Sequence, residues 1–376
     1  KKKKKKKTRA SIVDTFVMEL IPYLPDDVAR ECLLRASYKQ FPVISSVCRG
    51  WNRQVSLSEF FQQRKASGHS QELLIMSQAR VNPDRESGSE KNFATPEYRV
   101  AVLESGVGIW TELPLFPGQS NGLPLFCSLV SVGSDLIVLG GLDPVTWQAS
   151  DSVFIFSFLT SKWRVGATMP GVRRSFFGCV SDADRTVLVA GGHDEEKRAL
   201  TSAIVYDVAE DKWTFLPDMA RERDECKAIF HAGRIHVIGG YTTEEQGHFC
   251  KTVESFDSST WLWGPVTEDF LDTSDATSPP MYAAGENGGL LYACWQGDVM
   301  VLINDTWQKV GQIPSDVYNV SYVAVKPGKL IVIGNGKALA GNGEATVGYI
   351  CDLSSSQWLK LETQVGHVQA GCFLEL

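Results

Sequence analysis

One unit of sequence recurs along most of this 376-residue chain, about every 50 residues. In its clearest copy, the apolar run TVLVAGG at 186–192 ends in a Gly pair and is followed by Tyr206 and, seven residues later, by Trp213. The corresponding tryptophans, spaced 53, 50, 50, 44 and 51 residues apart, are Trp110, Trp163, Trp213, Trp263, Trp307 and Trp358. A regular period of this length predicts a repetitive architecture in which each unit packs against its neighbours.

The content of each unit favours a small antiparallel sheet. Short runs of β-branched and aromatic residues alternate with Gly, Asp and Asn turns. A Gly pair followed by an aromatic residue at this period is typical of kelch repeats, which fold as blades of a β-propeller. Segments of the second, third and fourth strand type each occur six times, and the final segment, HVQAGCFLEL at 367–376, supplies the sixth first strand. We therefore predict an all-β, six-bladed kelch propeller over residues 66–376, closed by a C-terminal strand that completes the first blade.

The repeated glycines and aromatic residues are interpreted as structural. Glycine lets one backbone pass close to another where the inner strands crowd together. The Tyr or Phe and the Trp of each unit are expected to pack between neighbouring blades, where large aromatic rings bury most area. No catalytic role is assigned to these rings.

Residues 18–65 follow a helical period instead. A first helix is expected to begin at Pro25 with Asp26 as a capping candidate, a second to cover 41–51, and a third to surround Phe60. A unit of about fifty residues buries too little surface to be stable alone, so its apolar face is expected to bind a partner. The residues predicted for that face are Leu24, Pro25, Val28, Cys32, Leu33, Val47, Cys48 and Trp51.

The helical segment resembles an F-box, the motif that docks on a Skp1-type adaptor. The stretches LIPYLPDDVARECLLR, VISSVCRGWNRQV and FFQQR match its Leu-Pro start, its Cys-Leu centre and its Val-Cys-x-x-Trp core. An F-box followed by kelch repeats resembles the plant F-box/kelch-repeat proteins. From Met18 to Leu376 the chain is similar to their KISS ME DEADLY subgroup, including MARERDECKAIFHAG and the terminal GHVQAGCFLEL.

This resemblance implies a non-catalytic substrate receptor of an SCF-type ubiquitin ligase, reaching the cullin through Skp1. It implies an F-box over 18–65 that presents the eight residues named above to Skp1. It also implies candidate substrates, namely type-B response regulators of cytokinin signalling and phenylalanine ammonia-lyase of phenylpropanoid metabolism. The alternative is a scaffold that binds Skp1 without delivering a protein for degradation.

Two loops between blades suggest a substrate face. In kelch proteins the connections from a fourth strand to the next first strand open onto one face, near the central channel. Here MPGVRRSF and MARERDE carry arginines, and Arg173 and Arg223 share a Met-x-x-x-Arg spacing that places them in equivalent positions. They are interpreted either as donors to acidic partner segments or as inter-blade ion pairs. The predicted substrate-binding residues are Arg173, Arg174, Arg221, Arg223 and the anchor candidate Trp147.

Composition argues against several other functions. The net charge of −7 becomes −14 for residues 8–376 once the seven N-terminal lysines are set aside, which disfavours nucleic acid as the main partner. Residues 1–17 are interpreted as a disordered basic tail. No apolar run is long enough for a bilayer, and nine cysteines without CxxC spacing indicate reduced core thiols. We therefore expect a protein of the cytoplasm and nucleus.

No metal or cofactor is expected. Cys226, His231 and His236 are spaced five apart, but they fall on two strands that need not bring them together, and a fourth zinc ligand is missing. Copper-radical chemistry, known on other kelch propellers, would need a Tyr, Cys and His cluster that the sequence does not provide.

Overall fold

The computed structural model describes residues 20–80, 96–105, 108–116, 118, 122–270, 280–285, 288–337, 344–362 and 366–376. The tail predicted for residues 1–17 lies outside these ranges. The N-terminal part folds into four short helices, with a single 3-10 turn at Tyr38–Gln40. The helices are α1 (Asp26–Leu34), α2 (Phe41–Val47), α3 (Arg49–Val55) and α4 (Ser58–Ala66).

The rest of the described chain forms six four-stranded antiparallel sheets, the blades of a propeller. Blade 1 contains β1 (Glu72–Ala79), β2 (Tyr98–Glu104) and β3 (Trp110–Glu112); blade 2 contains β4 (Ser128–Val132), β5 (Asp135–Leu139), β6 (Val153–Ser157) and β7 (Lys162–Val165); blade 3 contains β8 (Gly178–Ser181), β9 (Thr186–Ala190), β10 (Ala203–Asp207) and β11 (Lys212–Phe215). Blade 4 contains β12 (Lys227–His231), β13 (Arg234–Ile238), β14 (Val253–Asp257) and β15 (Leu262–Trp263). Blade 5 contains β16 (Met281–Ala284), β17 (Leu291–Trp295), β18 (Asp298–Ile303) and β19 (Thr306–Gln312). Blade 6 contains β20 (Asn319–Lys326), β21 (Lys329–Lys337), β22 (Glu344–Asp352) and β23 (Gln357–Leu361).

The last strand closes the ring. β24 (Val368–Glu375) pairs with β1, with Leu74 opposite Phe373 and Ile75 opposite Cys372, and becomes the innermost strand of blade 1. The predicted six-bladed propeller and its closure by the C-terminus are thereby confirmed. The first strands of successive blades contact one another around the axis, from β24 through β4, β8, β12, β16 and β20.

The Gly pairs lie where two backbones pass closely, as the sequence predicted. Gly141 and Gly240 both have positive φ, +86° and +81°. A Cβ on Gly141 would lie 2.6 Å from the carbonyl oxygen of Leu125, and one on Gly240 would lie 2.6 Å from that of Asp224. A side chain at either position would therefore displace the segment that leads into the inner strand.

The repeated tryptophans join each blade to the one before it. The indole N–H of Trp163 donates to Pro114 O at 2.7 Å, and that of Trp263 donates to Pro217 O at the same distance. Trp213 stacks on Tyr206 within blade 3, with ring centroids 4.8 Å apart, and the buried Tyr206 shares a core cluster with Val153 and Ile155 of blade 2. These contacts confirm that the aromatic residues of the period pack between blades.

The helical unit differs from its prediction in two details. The segment 41–51 is two helices instead of one, because Cys48 is extended (φ −159°, ψ 167°) and its sulfur accepts the N–H of Trp51 to cap α3. Asp26 does not cap α1. It lies inside the first turn, and its carboxylate accepts the backbone N–H of Leu20 at 3.1 Å.

Candidate protein-interaction surfaces

A buried arginine organises the helical unit. The guanidinium of Arg64 donates to the carbonyl oxygens of Leu34, Ala36 and His69, and it lies 5.1 Å from the ring centre of Phe41. Burial lowers the pKa of Arg64 to about 10, so it stays charged at neutral pH. Sequence reasoning missed this residue, because its acceptors are backbone carbonyls from separate segments.

One side of the helical unit is attached to the propeller. Ser45 Oγ donates to Leu159 O at 2.9 Å, in the turn between β6 and β7. Lys39 Nζ donates to Glu104 at 2.8 Å, and Lys65 Nζ pairs with Glu375 at 2.8 Å. Leu159 lies in a turn, and Glu104 and Glu375 end strands, all on the same side of the ring. The helices therefore cover the face that carries the turns from first to second and from third to fourth strands.

The other side of the helical unit exposes apolar residues. Of the eight residues predicted for Skp1, six are exposed: Leu24, Pro25, Val28, Cys32, Val47 and Cys48. Leu33 is buried, and Trp51 is half-buried with its indole N–H donating to Leu20 O at 2.6 Å. Leu33 and Trp51 thus support the surface from beneath, whereas the six others can touch a partner.

Two further apolar side chains extend this surface. Val43 of α2 and Leu57, just before α4, are exposed but were not predicted. Val43 stands beside Ile44, which the helical pattern assigns to the core, and Leu57 precedes the third predicted helix, so periodicity gave no signal for them. A shallow groove lined by Ser45, Ser46, Cys48, Arg49, Asn52 and Arg53 lies on the same helices.

The predicted substrate loops open on the opposite face of the propeller. In an antiparallel blade the turns alternate between the two ends, so turns from second to third strand share a face with the connections between blades. Arg173, Arg221 and Trp147 lie there, exposed to solvent. Trp147 is 57% exposed, in a left-handed turn (φ +59°) closed by its own N–H to Asp143 O at 2.8 Å.

The register predicted for the arginines is wrong by one residue. Arg174, not Arg173, corresponds to Arg223: each donates to the first glycine of a Gly pair, Gly191 O at 3.1 Å and Gly239 O at 2.7 Å. The loop MPGVRR has one residue more than MARER between Met and the buried Arg. Arg173 is exposed and pairs with Asp151 at 3.3 Å instead.

Arg223 and Arg174 are enclosed by the propeller. Arg223 has 0% exposure, and its guanidinium pairs with Glu254, also 0% exposed, at 3.1 Å. Burial lowers the pKa of Arg174 to about 10. Arg223 bonds to Glu254 and Thr252 within blade 4, and Arg174 bonds to Ser202 within blade 3, so neither forms an inter-blade ion pair. Because both are enclosed, neither is placed to contact a partner directly, whereas Arg173 and Arg221 remain accessible.

The spaced Cys226, His231 and His236 do not converge on a common centre. His231 Nε2 lies 2.6 Å from Gly289 O, His236 Nδ1 lies 2.7 Å from Ser255 Oγ, and Cys226 is buried against Ala190 O. Within the described ranges, no three His, Cys, Asp or Glu side chains are grouped as metal ligands.

Comparison with known proteins decides the family. The F-box domain model matches residues 21–63, and the Kelch motif model matches 125–170 and 173–220. The chain is 80% identical to the Arabidopsis thaliana F-box/kelch-repeat protein At1g80440 and 65% identical to At1g15670, in each case over 96% of this chain and the whole relative. At2g44130 is 36% identical over 68% of each chain. This chain is an F-box/kelch-repeat protein.

Membership of the F-box/kelch-repeat family confirms the resemblance seen in the sequence. Proteins of this family are generally non-catalytic adaptors; the F-box suggests binding to Skp1 and the kelch propeller suggests binding to proteins. The two surfaces described above lie on opposite sides of the ring, so both can be occupied at once. Across the described part of the chain, no helix has the length and apolar character needed to cross a bilayer.

Proposed function

We propose that this F-box/kelch-repeat protein is the substrate receptor of an SCF-type ubiquitin ligase. Its helical unit binds a Skp1-type adaptor and through it the cullin, and its propeller binds the protein to be ubiquitinated. Residues 18–65 form the adaptor-binding domain and 66–376 the substrate-binding domain. The complex works in the cytoplasm and nucleus.

The exposed apolar side of the helices is the observation that supports this function best. The buried core of the unit and its bonds to the propeller already use one side of the helices, yet Leu24, Val28 and Val47 face water. Val47 is 55% exposed. Several exposed apolar residues on one small helical unit are typical of a protein-binding surface. Six of the eight residues predicted for Skp1 are exposed on the helical unit, and Leu33 and Trp51 lie beneath them.

The protein contributes proximity instead of chemistry. Ubiquitin transfer takes place on partner subunits, and the receptor raises the effective concentration of substrate lysines near them. Because the propeller face with Arg173 and Trp147 points away from the helices, a bound protein does not compete with Skp1 for surface. Type-B response regulators and phenylalanine ammonia-lyase are the first candidate substrates.

Substrate lifetime tests this function. Depleting the receptor in plant cells should lengthen the half-life of a candidate substrate, and proteasome inhibition should enrich ubiquitinated substrate on the purified receptor. Re-expressing the wild type should restore turnover. Re-expressing a variant with Leu24→Ala and Pro25→Ala should not. Unchanged half-lives for proteins that co-purify would instead favour the non-degradative scaffold.

A further inference from the structure

Two phenylalanines stand at the mouth of the central channel in an uncommon backbone conformation. Phe126 and Phe176 each lie two residues before the inner strand of a blade, β4 and β8, and both have φ +56°. Their ring centroids are 5.1 Å apart, and Phe126 is 48% exposed. Bulky residues rarely adopt positive φ, and such strained positions cluster at functional sites.

Polar contacts hold the backbone of Phe126 and the ring of Phe176. The N–H of Phe126 donates to Gln369 Oε1 at 2.8 Å, and the Gln369 amide donates to Pro124 O at 3.0 Å. The Phe176 ring stacks on His193 with centroids 5.4 Å apart and an interplanar angle of 24°. The backbone of Phe126 and the ring of Phe176 are therefore held before a partner binds, and the two rings contact each other, which lowers the entropic cost of binding.

The imidazole beneath Phe176 is itself fixed. The His193 Nδ1 lies 2.7 Å from Asp224 Oδ2, and its Nε2 lies 2.9 Å from Ser175 Oγ and 2.8 Å from the ammonium of the exposed Lys197. Ser175, His193 and Asp224 are buried, so this Ser-His-Asp arrangement positions the ring above it and does not offer a nucleophile to solvent. Through Asp224 the network reaches the next blade.

Blade 4 places a carboxylate where blades 2 and 3 place phenylalanine. Glu225 lies two residues before β12 and has φ +53°. The hydroxyl of Tyr241 donates to Glu225 Oε1 at 3.0 Å. Burial and this carboxylate raise the pKa of Tyr241, so its hydroxyl keeps its proton and donates to Glu225. Lys227, two residues after Glu225, is half-buried; burial lowers the pKa of its ammonium, and the negative charge of Glu225 acts in the opposite direction.

The surrounding face favours a cationic partner. Acidic residues outnumber basic ones in the described loops of this face. Its exposed arginines already have carboxylate partners: Arg173 with Asp151, Arg198 with Asp194 and Arg221 with Glu268. A basic side chain from a partner would therefore meet a complementary field, whereas an acidic one would compete with carboxylates that are already in place.

We infer that Phe126, Phe176 and Glu225, here called the mouth site, bind a segment of the partner protein with a bulky apolar side chain adjacent to a lysine or arginine. The apolar side chain packs on the paired rings, and the neighbouring cation pairs with Glu225. This inference rests on the proposed function, because it specifies what the propeller face selects. It also predicts a basic partner segment, whereas the arginines of the loops between blades had suggested an acidic one.

Peptide binding by the full chain, purified with a Skp1-type adaptor, tests the mouth site. The probes are fluorescent peptides on one Gly/Ser scaffold with Phe-Lys, Ala-Lys or Phe-Glu at the centre, measured by fluorescence anisotropy. Phe-Lys should bind at least tenfold more tightly than either other peptide. Replacing both Phe126 and Phe176 with Ala should remove that preference. Glu225→Lys should shift it towards Phe-Glu.

Matched controls distinguish binding at the mouth site from non-specific binding. Phe215→Ala removes an exposed phenylalanine from the outer strand of blade 3, and Glu210→Lys reverses an exposed carboxylate on the helical face; both should bind like the wild type. Equal binding of all three peptides, or unchanged preference in the mouth-site variants at unchanged melting temperature, would overturn the inference. Adaptor co-purification and substrate half-life are measured separately, so the proposed function can stand when this inference fails.

Discussion

The indole N–H of Trp213 donates to the carbonyl oxygen of Ala167 at 2.7 Å, across the boundary between blade 3 and blade 2. The indole N–H of Trp307 donates to Phe270 O at 2.7 Å. That of Trp110 donates to Glu362 O at 2.8 Å, where blade 6 meets blade 1. The tryptophans that recur in the sequence therefore form hydrogen bonds between neighbouring blades. These tryptophans, together with Trp163 and Trp263, fix the segments by which the previous blades end.

Replacing Trp213 with Phe tests this role. The change keeps an aromatic ring and removes the donor, so the free energy of unfolding should fall by about 1 kcal/mol. Trp261→Phe, at an exposed turn of blade 4, is the matched control and should have little effect. Chemical denaturation of the two variants measures the difference. Equal stabilities would mean that the indole bonds are incidental.

The buried pair of Arg223 and Glu254 should respond very differently from the exposed pair of Arg173 and Asp151. Arg223→Met leaves a carboxylate buried without its cation, which typically costs about 3–5 kcal/mol. Arg173→Met breaks a solvent-exposed pair and should cost less than about 1 kcal/mol. Melting temperature distinguishes the two. If the Arg223→Met protein were stable but no longer bound substrate, the prediction that Arg223 contacts a partner would be supported.

Glu375 gives the attachment of the helices a pH dependence. Burial opposes its ionisation, but bonds from Lys65 and Ser70 and the charge of Lys326 outweigh burial, so the pKa of Glu375 is lowered from 4.5. A lowered pKa stabilises the fold above the unfolded pKa, and that stability is lost as pH falls through the folded value.

Glu375→Gln should therefore lower the melting temperature at pH 7, and its difference from wild type should shrink as the pH falls below about 4.5. Melting curves at a series of pH values measure this. Glu59→Gln, at an exposed position of α4, should show no such trend. A difference that stays constant with pH would rule out an electrostatic contribution from Glu375.

Ring closure predicts the outcome of a C-terminal truncation. Deleting 367–376 removes β24 and exposes the edge of β1, which includes the buried Leu74 and Met76. The loss of an inner strand exceeds a stability margin of about 5–15 kcal/mol, so the truncated protein should be insoluble. Supplying the strand on a co-expressed fragment should recover part of it. A soluble truncation that melts at the full-length temperature would contradict the closure.

The features that sequence predicted well are those in which local chemistry and period agree. Gly141 and Gly240 follow apolar runs, and no other residue fits their crowded, positive-φ positions, so their place in the blade could be inferred. The break at Cys48 could not, because Ile44 and Trp51 keep a helical spacing on either side of it. A pattern of apolar positions does not reveal that one residue between two helices is extended.

The candidate sites were predicted less completely, for reasons of packing. From the sequence alone Arg223 is expected at the surface, because its partner Glu254 is 31 residues away and becomes a neighbour only in the folded blade. One extra residue in the loop before Arg174 was enough to misalign the two arginines. Phe126 and Phe176 gave no signal because nothing in a single sequence marks a phenylalanine that will adopt positive φ.

The adaptor contact is the central claim, and one co-purification tests it most directly. Full-length protein with Leu24→Ala and Pro25→Ala is co-expressed with a Skp1-type adaptor beside wild type and beside Val165→Ala, an exposed valine of β7. The wild type and Val165→Ala should each retain the adaptor in a 1:1 complex, as expected for one F-box per chain. The double variant should lose the adaptor at an unchanged melting temperature, since Leu24 and Pro25 are exposed and contribute little to the core. Retention of the adaptor by the folded double variant would contradict the assignment of this surface.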